Sequence, residues 1–378
     1  MRTTYLGDYR AHQYISEIIE RLEAKNPTLQ SINLDKLPIG ASAFKKILGA
    51  LGNIEFLSIR GIRIGDSGVK DLAVELERNT TLKSLDLADN DIKASGGKDL
   101  AGALRRNITL EALNLSGNEI GVSGAEHLAG ALKINRTLTS LNLRWNKIGD
   151  EGARHLSDVL KINTTLESLY FFGNEIGDAG AEYLADVIKG NMTLTTIELA
   201  RNKIGKVGAG ALLEVFKKNT TLTTLNLQDN EGIEHTLIEY INILLERNRD
   251  LQKTREELAK KEQGGRRLAA EEKSGPFADF TQVNPMSPSR LNRKRSRPQS
   301  SEPNPDQEIE ALKDQFRNLE DRLKEASDLE QTLLELQLLR TESKATISEA
   351  ELAAINTRIS EAEQELGRID PLLPHTSP

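Results

Sequence analysis

The sequence predicts an α/β solenoid, with an inner parallel sheet and an outer row of helices. Three observations lead there. Leu82, Leu110, Leu138, Leu166, Leu194 and Leu222 stand 28 residues apart. Each opens the pattern L-x-x-L-x-L-x-x-N, with Ile or Phe replacing a Leu in places. Each copy then turns through glycine into apolar residues at helical spacing, so the period changes from strand to helix within one copy. One strand and one helix cannot bury both apolar faces alone, whereas stacked copies can.

The elements follow in chain order. Tyr14, Ile15, Ile18, Ile19 and Leu22 give a leading helix its apolar stripe, and NPTL after it is a variant of the NTTL inside the repeats. Leu29, Ile32 and Leu34 fit a degenerate first copy; Ile54, Leu57 and Ile59 fit a second in register. In LTSLNLRWN, Leu138, Leu141 and Leu143 face the core, and the alternation of Leu141 with Leu143 predicts a strand. IGDEG supplies the turn, with glycines where the chain bends tightly. Ala153, Leu156 and Leu160 mark the helix, and Asn163 ends it as a residue tolerant of the left-handed conformation. Leu237, Ile241, Leu244 and Leu245 give the last helix a packing face before the charged run LQKTREELAKKE. Both ends are thus predicted to be capped, and residues 1–262 to form one repeat domain.

This register and spacing resemble the ribonuclease-inhibitor-like leucine-rich repeats over roughly residues 10–250. The resemblance implies a leucine-rich-repeat solenoid, a curved horseshoe that binds a protein partner, usually on its concave face. It implies a non-enzymatic interaction scaffold. The same family includes the Ran GTPase-activating protein and the sensor domains of innate-immune receptors. GTPase regulation is therefore an alternative, although no long acidic tract follows these repeats as it does in that activator.

Composition narrows the field. The 378 residues include no cysteine, which excludes disulfides and thiolate metal sites and suits a reducing cytoplasm. No run reaches the ~18 apolar residues of a membrane span, and the N-terminus lacks the apolar core of a secretory signal. The net charge of −7 argues against nucleic acid as the partner of the whole molecule. The sequence holds no phosphate-loop, zinc-protease or nucleophile-elbow motif, so no cofactor and no catalytic residue is assigned. His127 and His155 share one repeat position and are expected to face solvent on their helices; two imidazoles alone make a poor metal site. The recurrent Asn90, Asn118, Asn146, Asn174, Asn202 and Asn230 are expected to satisfy backbone groups at each bend.

One copy departs from its sisters. SLYFFGNEIG places Tyr170, Phe171 and Phe172 together, where others read SLNLRWNKIG and TIELARNKIG. Strand side chains alternate, so Phe171 takes a core position while Tyr170 and Phe172 face outward. The equivalent residues are Asn142 and Arg144 one copy earlier, and Glu198 and Ala200 one copy later. Trp145 follows Arg144 at the strand edge. With strands ~5 Å apart, Arg144, Trp145, Tyr170, Phe172, Glu198 and Arg201 are expected to form one patch. Aromatic residues and arginine are enriched at binding hot spots, so the patch is the candidate partner site.

The tail changes character. Residues 263–305 hold six of the eleven prolines and read as a flexible linker. Arg290, Arg293, Lys294, Arg295 and Arg297 form a basic cluster there, suited to nuclear import, nucleic acid or anionic lipid, or to a solvated linker alone. Residues 306–370 regain coiled-coil spacing through Ile309, Leu312, Phe316, Leu319 and Leu323, then Leu329, Leu333 and Leu336. Thr346 and Glu349 form a capping-box pattern, after which Leu352, Ile355, Ile359, Ala362, Leu366 and Ile369 follow. The segment forms either a helical hairpin or a coiled coil that self-associates; residues 371–378 are a disordered tail. Repeats joined to such a segment, with Glu361, Glu363 and Glu365 near the end, also resemble type IV-secreted effectors of intravacuolar bacterial pathogens.

Overall fold

The computed structural model describes residues 2–216, 218–273, 329, 332 and 349–369. Helices and strands alternate as α1 (Arg2–Glu23), β1 (Ser31–Asn33), α2 (Ala41–Leu48), β2 (Phe56–Ser58), α3 (Gly65–Arg78), β3 (Ser84–Asp86), α4 (Ala94–Leu104) and β4 (Ala112–Asn114). They continue as α5 (Gly121–Leu132), β5 (Ser140–Asn142), α6 (Gly149–Leu160), β6 (Ser168–Tyr170), α7 (Asp178–Ile188), β7 (Thr196–Glu198), α8 (Lys206–Val215), β8 (Thr224–Asn226) and α9 (His235–Lys273). A last helix, α10, spans Glu349–Ile369. The eight strands form one open parallel sheet in sequence order.

The 28-residue period fixes the register. Leu85 pairs with Leu113, Leu113 with Leu141, Leu141 with Leu169 and Leu169 with Ile197. This column and its neighbour through Leu87, Leu115, Leu143, Phe171 and Leu199 are buried. Helix residues such as Leu128, Leu156 and Leu184 complete the core. Each short strand would be marginal alone; stacking supplies the hydrophobic stabilisation that a single unit cannot.

Two asparagine ladders hold the bends. Asn118 Oδ1 accepts from the backbone N–H groups of Asn90 and Ile92, both at 3.0 Å, while its Nδ2 donates to the Leu87 and Leu115 carbonyls. The second ladder lies where each helix returns to the next strand. Asn163 is buried there: its Nδ2 donates to Leu132 O at 2.9 Å and its Oδ1 accepts from Thr165 and Leu166 N–H. Asn163 is not among the residues in the left-handed region, so it ends its helix through side-chain hydrogen bonds and not through backbone permissiveness.

A third ladder uses aspartate. Asp150 Oδ1 accepts from Gly177 N at 2.6 Å and Gly180 N at 3.0 Å, capping α7 from the previous repeat. Asp178 does the same for Gly205 and Gly208 at the start of α8. A Cβ on Gly180 would lie 2.6 Å from that Asp150 oxygen, which is why glycine sits beneath the cap.

The caps differ from expectation in detail. In α1, Ile15, Ile18 and Leu22 are buried and Ile19 half-buried, but Tyr14 is exposed, its hydroxyl 3.4 Å from Asn33 O. At the other end Ile241, Leu244 and Leu245 are buried, Leu237 half-buried, and Asn248 closes the second ladder by donating to the Asn219 and Leu222 carbonyls. Packing divides the chain into two units, Met1–Asn248 and Arg249–Pro378. Helix α9 runs across residue 262 to Lys273, so the segment read as linker from residue 263 begins as helix. Its Glu, Lys, Ala and Arg residues are strong helix formers and outweigh the Gly264–Gly265 pair.

In α10, Ile359 and Ala362 are buried, Ile355 is half-buried, and Glu361 and Glu365 are exposed. The basic cluster Arg290–Arg297, the heptads between 306 and 323, Leu333, Leu336 and Thr346 lie outside the described residues. Among the described residues, no helix is long and apolar enough to cross a membrane.

Candidate functional site

The helices pack on one face of the sheet and leave the other open. On that open face, parallel register places Asn142 beside Tyr170 and Tyr170 beside Glu198. The ladder continues past the strands: Trp145 N donates to Phe172 O at 2.8 Å and Phe171 N to Glu198 O at 2.7 Å. Phe171 is fully buried, while Tyr170 and Phe172 are half-buried and Trp145 is 52% exposed. Alternation along the strand therefore separates the three neighbouring rings as expected.

The six predicted patch residues touch one another. The Trp145 and Phe172 rings meet edge-on, centroids 5.2 Å apart and planes at 71°. The Arg144 guanidinium lies over Tyr170 at 5.2 Å and over Phe172 at 5.8 Å, and Arg201 approaches Phe172 at 5.6 Å. Arg144 Nη2 pairs with Glu198 Oε2 at 3.2 Å, and Arg201 Nε with Asp229 Oδ2 at 2.9 Å. Two cations lie against the Phe172 ring, each paired with a carboxylate, and brace the cluster. Ala200, expected to face outward, is buried beside it.

Trp145 takes an unusual backbone conformation. Its φ is 54°, in the left-handed region that a bulky residue seldom enters. The repeat imposes this: Asp89, Gly117, Gly173, Arg201 and Asp229 occupy the same turn position, all with positive φ. Gly173 makes room for the indole, since a Cβ there would lie 2.5 Å from Trp145 Cε3. Strand alternation places Trp145 at the patch but does not reveal this turn. The recurrence of Asp or Gly at that position was the available signal.

The two histidines stay apart from the patch. His127 and His155 are half-buried on α5 and α6. A concavity of about 710 Å³ lies elsewhere, between the strand starts, lined by Thr81, Thr109, Thr137, Glu55, Lys83 and Glu111.

Six segments match the Leucine Rich repeat family, at residues 78–101, 106–129, 135–157, 163–185, 190–213 and 218–234. No curated protein matches the chain. Among solved structures, it is similar to the tropomodulin C-terminal domain of Caenorhabditis elegans, at 17% identity over 39% of this chain and 92% of that one, with a TM-score of 0.35. It is similar to leiomodin-1 actin-binding site 2 at 18% identity over 66% and 96%, TM-score 0.28. An internalin of Listeria monocytogenes aligns at 16% identity over 59% and 86%, TM-score 0.24. The strand–helix region of this chain is a leucine-rich-repeat solenoid, and the six matched segments are six of its turns.

Proposed function

We propose that the chain is a non-enzymatic interaction protein whose open, concave sheet face holds a protein partner. The observation that carries this reading is the cluster of Trp145, Tyr170 and Phe172 braced by Arg144 and Arg201. Trp, Tyr and Arg dominate binding hot spots: Trp and Tyr bury large areas from two rotatable bonds, and the planar guanidinium of Arg stacks on rings and forks onto carboxylates. The brace reduces the ordering cost of binding, since the side chains already hold one geometry. Glu198, only 14% exposed at its side chain, orients Arg144, and Arg201 frames the other side.

The test compares partner capture by the intact protein with capture by Trp145→Ala, Tyr170→Ala and Phe172→Ala. A partner seated on the patch loses ~2 kcal/mol or more with at least one of these. It is retained when Asn114, on the same face two strands away from β6, becomes Ala. If every partner survives all three patch substitutions, the face is not the binding site.

A further inference from the structure

Four successive helices end on a cation. The C-caps of α4, α5, α6 and α7 are Arg105, Lys133, Lys161 and Lys189. All four are exposed, and parallel stacking puts their loops along one edge of the repeat unit. The same loops hold aliphatic side chains in water: Ile108, Ile134, Ile162 and Met192 are 73%, 60%, 53% and 65% exposed. A cation at a helix C-terminus is favourable by itself, which accounts for the C-caps. It does not account for large aliphatic residues interleaved with them, and exposed apolar groups in a row mark contact surfaces.

The edge carries ion pairs, Arg106 with Glu77 and Lys83 with Glu55, but most of the C-cap cations stand outside them. Among the described residues, Arg105, Lys133 and Lys189 form no ion pair, and Lys161 meets Asp158 at 3.0 Å. At the turns leading into the helices, Lys147 pairs with Glu119 and Lys203 with Glu175, each at 2.9 Å. Among the described residues, this margin combines three C-cap cations outside any ion pair with exposed aliphatic side chains.

We propose that this margin docks on an anionic lipid bilayer, with the cations at headgroup level and the Ile and Met side chains inserted between headgroups. Interleaved long cations and aliphatic residues suit that boundary, where stems are buried and charged ends stay hydrated. Single-stranded nucleic acid fits the surface less well, because its bases stack on aromatic rings and none of the four loops contains one.

The experiment sediments the full chain with phosphatidylcholine vesicles with and without phosphatidylserine. Binding is expected only with phosphatidylserine, weakening as salt rises. The triple change Lys133→Glu, Lys161→Glu, Lys189→Glu should lower affinity by at least about a hundredfold, taking about fivefold per surface cation. The milder Lys→Gln triple should follow in the same direction, and keeps the reading if the first variant unfolds. Ile134→Ser, Ile162→Ser, Met192→Ser should weaken binding while leaving its salt dependence unchanged. Replacing Arg290, Arg293, Lys294, Arg295 and Arg297 by Gln should leave edge-dependent binding in place. No binding to phosphatidylserine vesicles overturns the proposal. So does loss of binding in the linker variant with the edge variants unaffected, or tighter binding to a single-stranded oligonucleotide that the edge variants abolish.

Discussion

Arg144 and Glu198 form an ion pair across a strand that lies between them. Arg144 follows β5 and Glu198 ends β7, yet Nη2 and Oε2 are 3.2 Å apart. The guanidinium thereby passes over the Tyr170 ring of β6. Tyr170 is half-buried beneath a side chain that itself faces the open surface. Glu198→Gln should weaken this arrangement at small cost to the fold, under ~1 kcal/mol for a partly exposed pair. Chemical denaturation measures that cost.

Phe171 and Phe172 are adjacent but should behave as opposites. Phe171→Ala empties a fully buried site and should cost ~3–5 kcal/mol of folding stability. Phe172→Ala removes an edge-on aromatic pair and should cost ~1 kcal/mol. Reversal of that order in denaturant titrations would mean that the strand faces are misassigned.

Trp145 and Gly173 should be energetically coupled. Gly173→Ala introduces a Cβ against the indole at a φ of +67°, and the left-handed conformation alone costs ~1–2 kcal/mol. In a Trp145→Gly background the clash disappears and only the backbone cost remains. A double-mutant cycle should therefore give a coupling of ~0.5 kcal/mol or more; additive effects would show that the indole does not occupy that space.

The ladders should dominate single-residue stability away from the core. Asn146 Nδ2 donates to Leu115 O at 2.8 Å and its Oδ1 accepts from Ile120 N at 3.2 Å, all buried. Asn146→Ala leaves the buried Ile120 N–H without this acceptor and Leu115 O with Asn118 as its remaining amide donor, and should cost ~1–3 kcal/mol. Asp150→Ala removes the cap on α7 and should cost ~1 kcal/mol. Hydrogen exchange should localise the second effect to the Gly177 and Gly180 amides.

Glu119 should report on its lysines. The hydrogen bond and charge of Lys147, with Lys93 behind, hold its carboxyl below the ordinary 4.5. A depressed carboxylate stabilises the folded state above its unfolded pKa, and that contribution fades as pH falls through the folded value. Conversely, Lys147 is held above 10.5 by Glu119, so its contribution is complete below that value and is lost as pH rises through the folded one. In an NMR titration, Lys147→Met should bring Glu119 back up toward 4.5; no change would disprove the coupling.

The repeat unit should depend on its last cap. Chain 1–262 keeps Ile241, Leu244, Leu245 and Asn248 and should unfold cooperatively in a thermal scan. Chain 1–240 loses all four, exposes β8 and leaves the Asn219 and Leu222 carbonyls unpaired. It should melt at a lower temperature and over a wider range. Equal melting of the two would place the cap elsewhere.

Much of the architecture was legible in the letters because a period is a local property repeated. Leu110, Leu138 and Leu166 recur at fixed spacing, and neighbouring copies can bury that column only by stacking in register. Alternation within SLYFF likewise separates Phe171 from Tyr170 and Phe172 by strand geometry alone. The recurrent Asn90, Asn118 and Asn146 pointed to backbone satisfaction for the same reason.

What the letters could not decide depends on contacts between copies. The reach of Arg144 over Tyr170 to Glu198 requires the strand spacing and rotamers of three copies at once. Trp145 enters the left-handed region because its turn is shared and Gly173 clears the space beside it, a compensation 28 residues away in sequence. Asp150 caps a helix of the following repeat, not its own. Periodicity specifies which residues share a column; only tertiary packing sets which side chains cross from one column to the next, because those reaches are decided by distance in space.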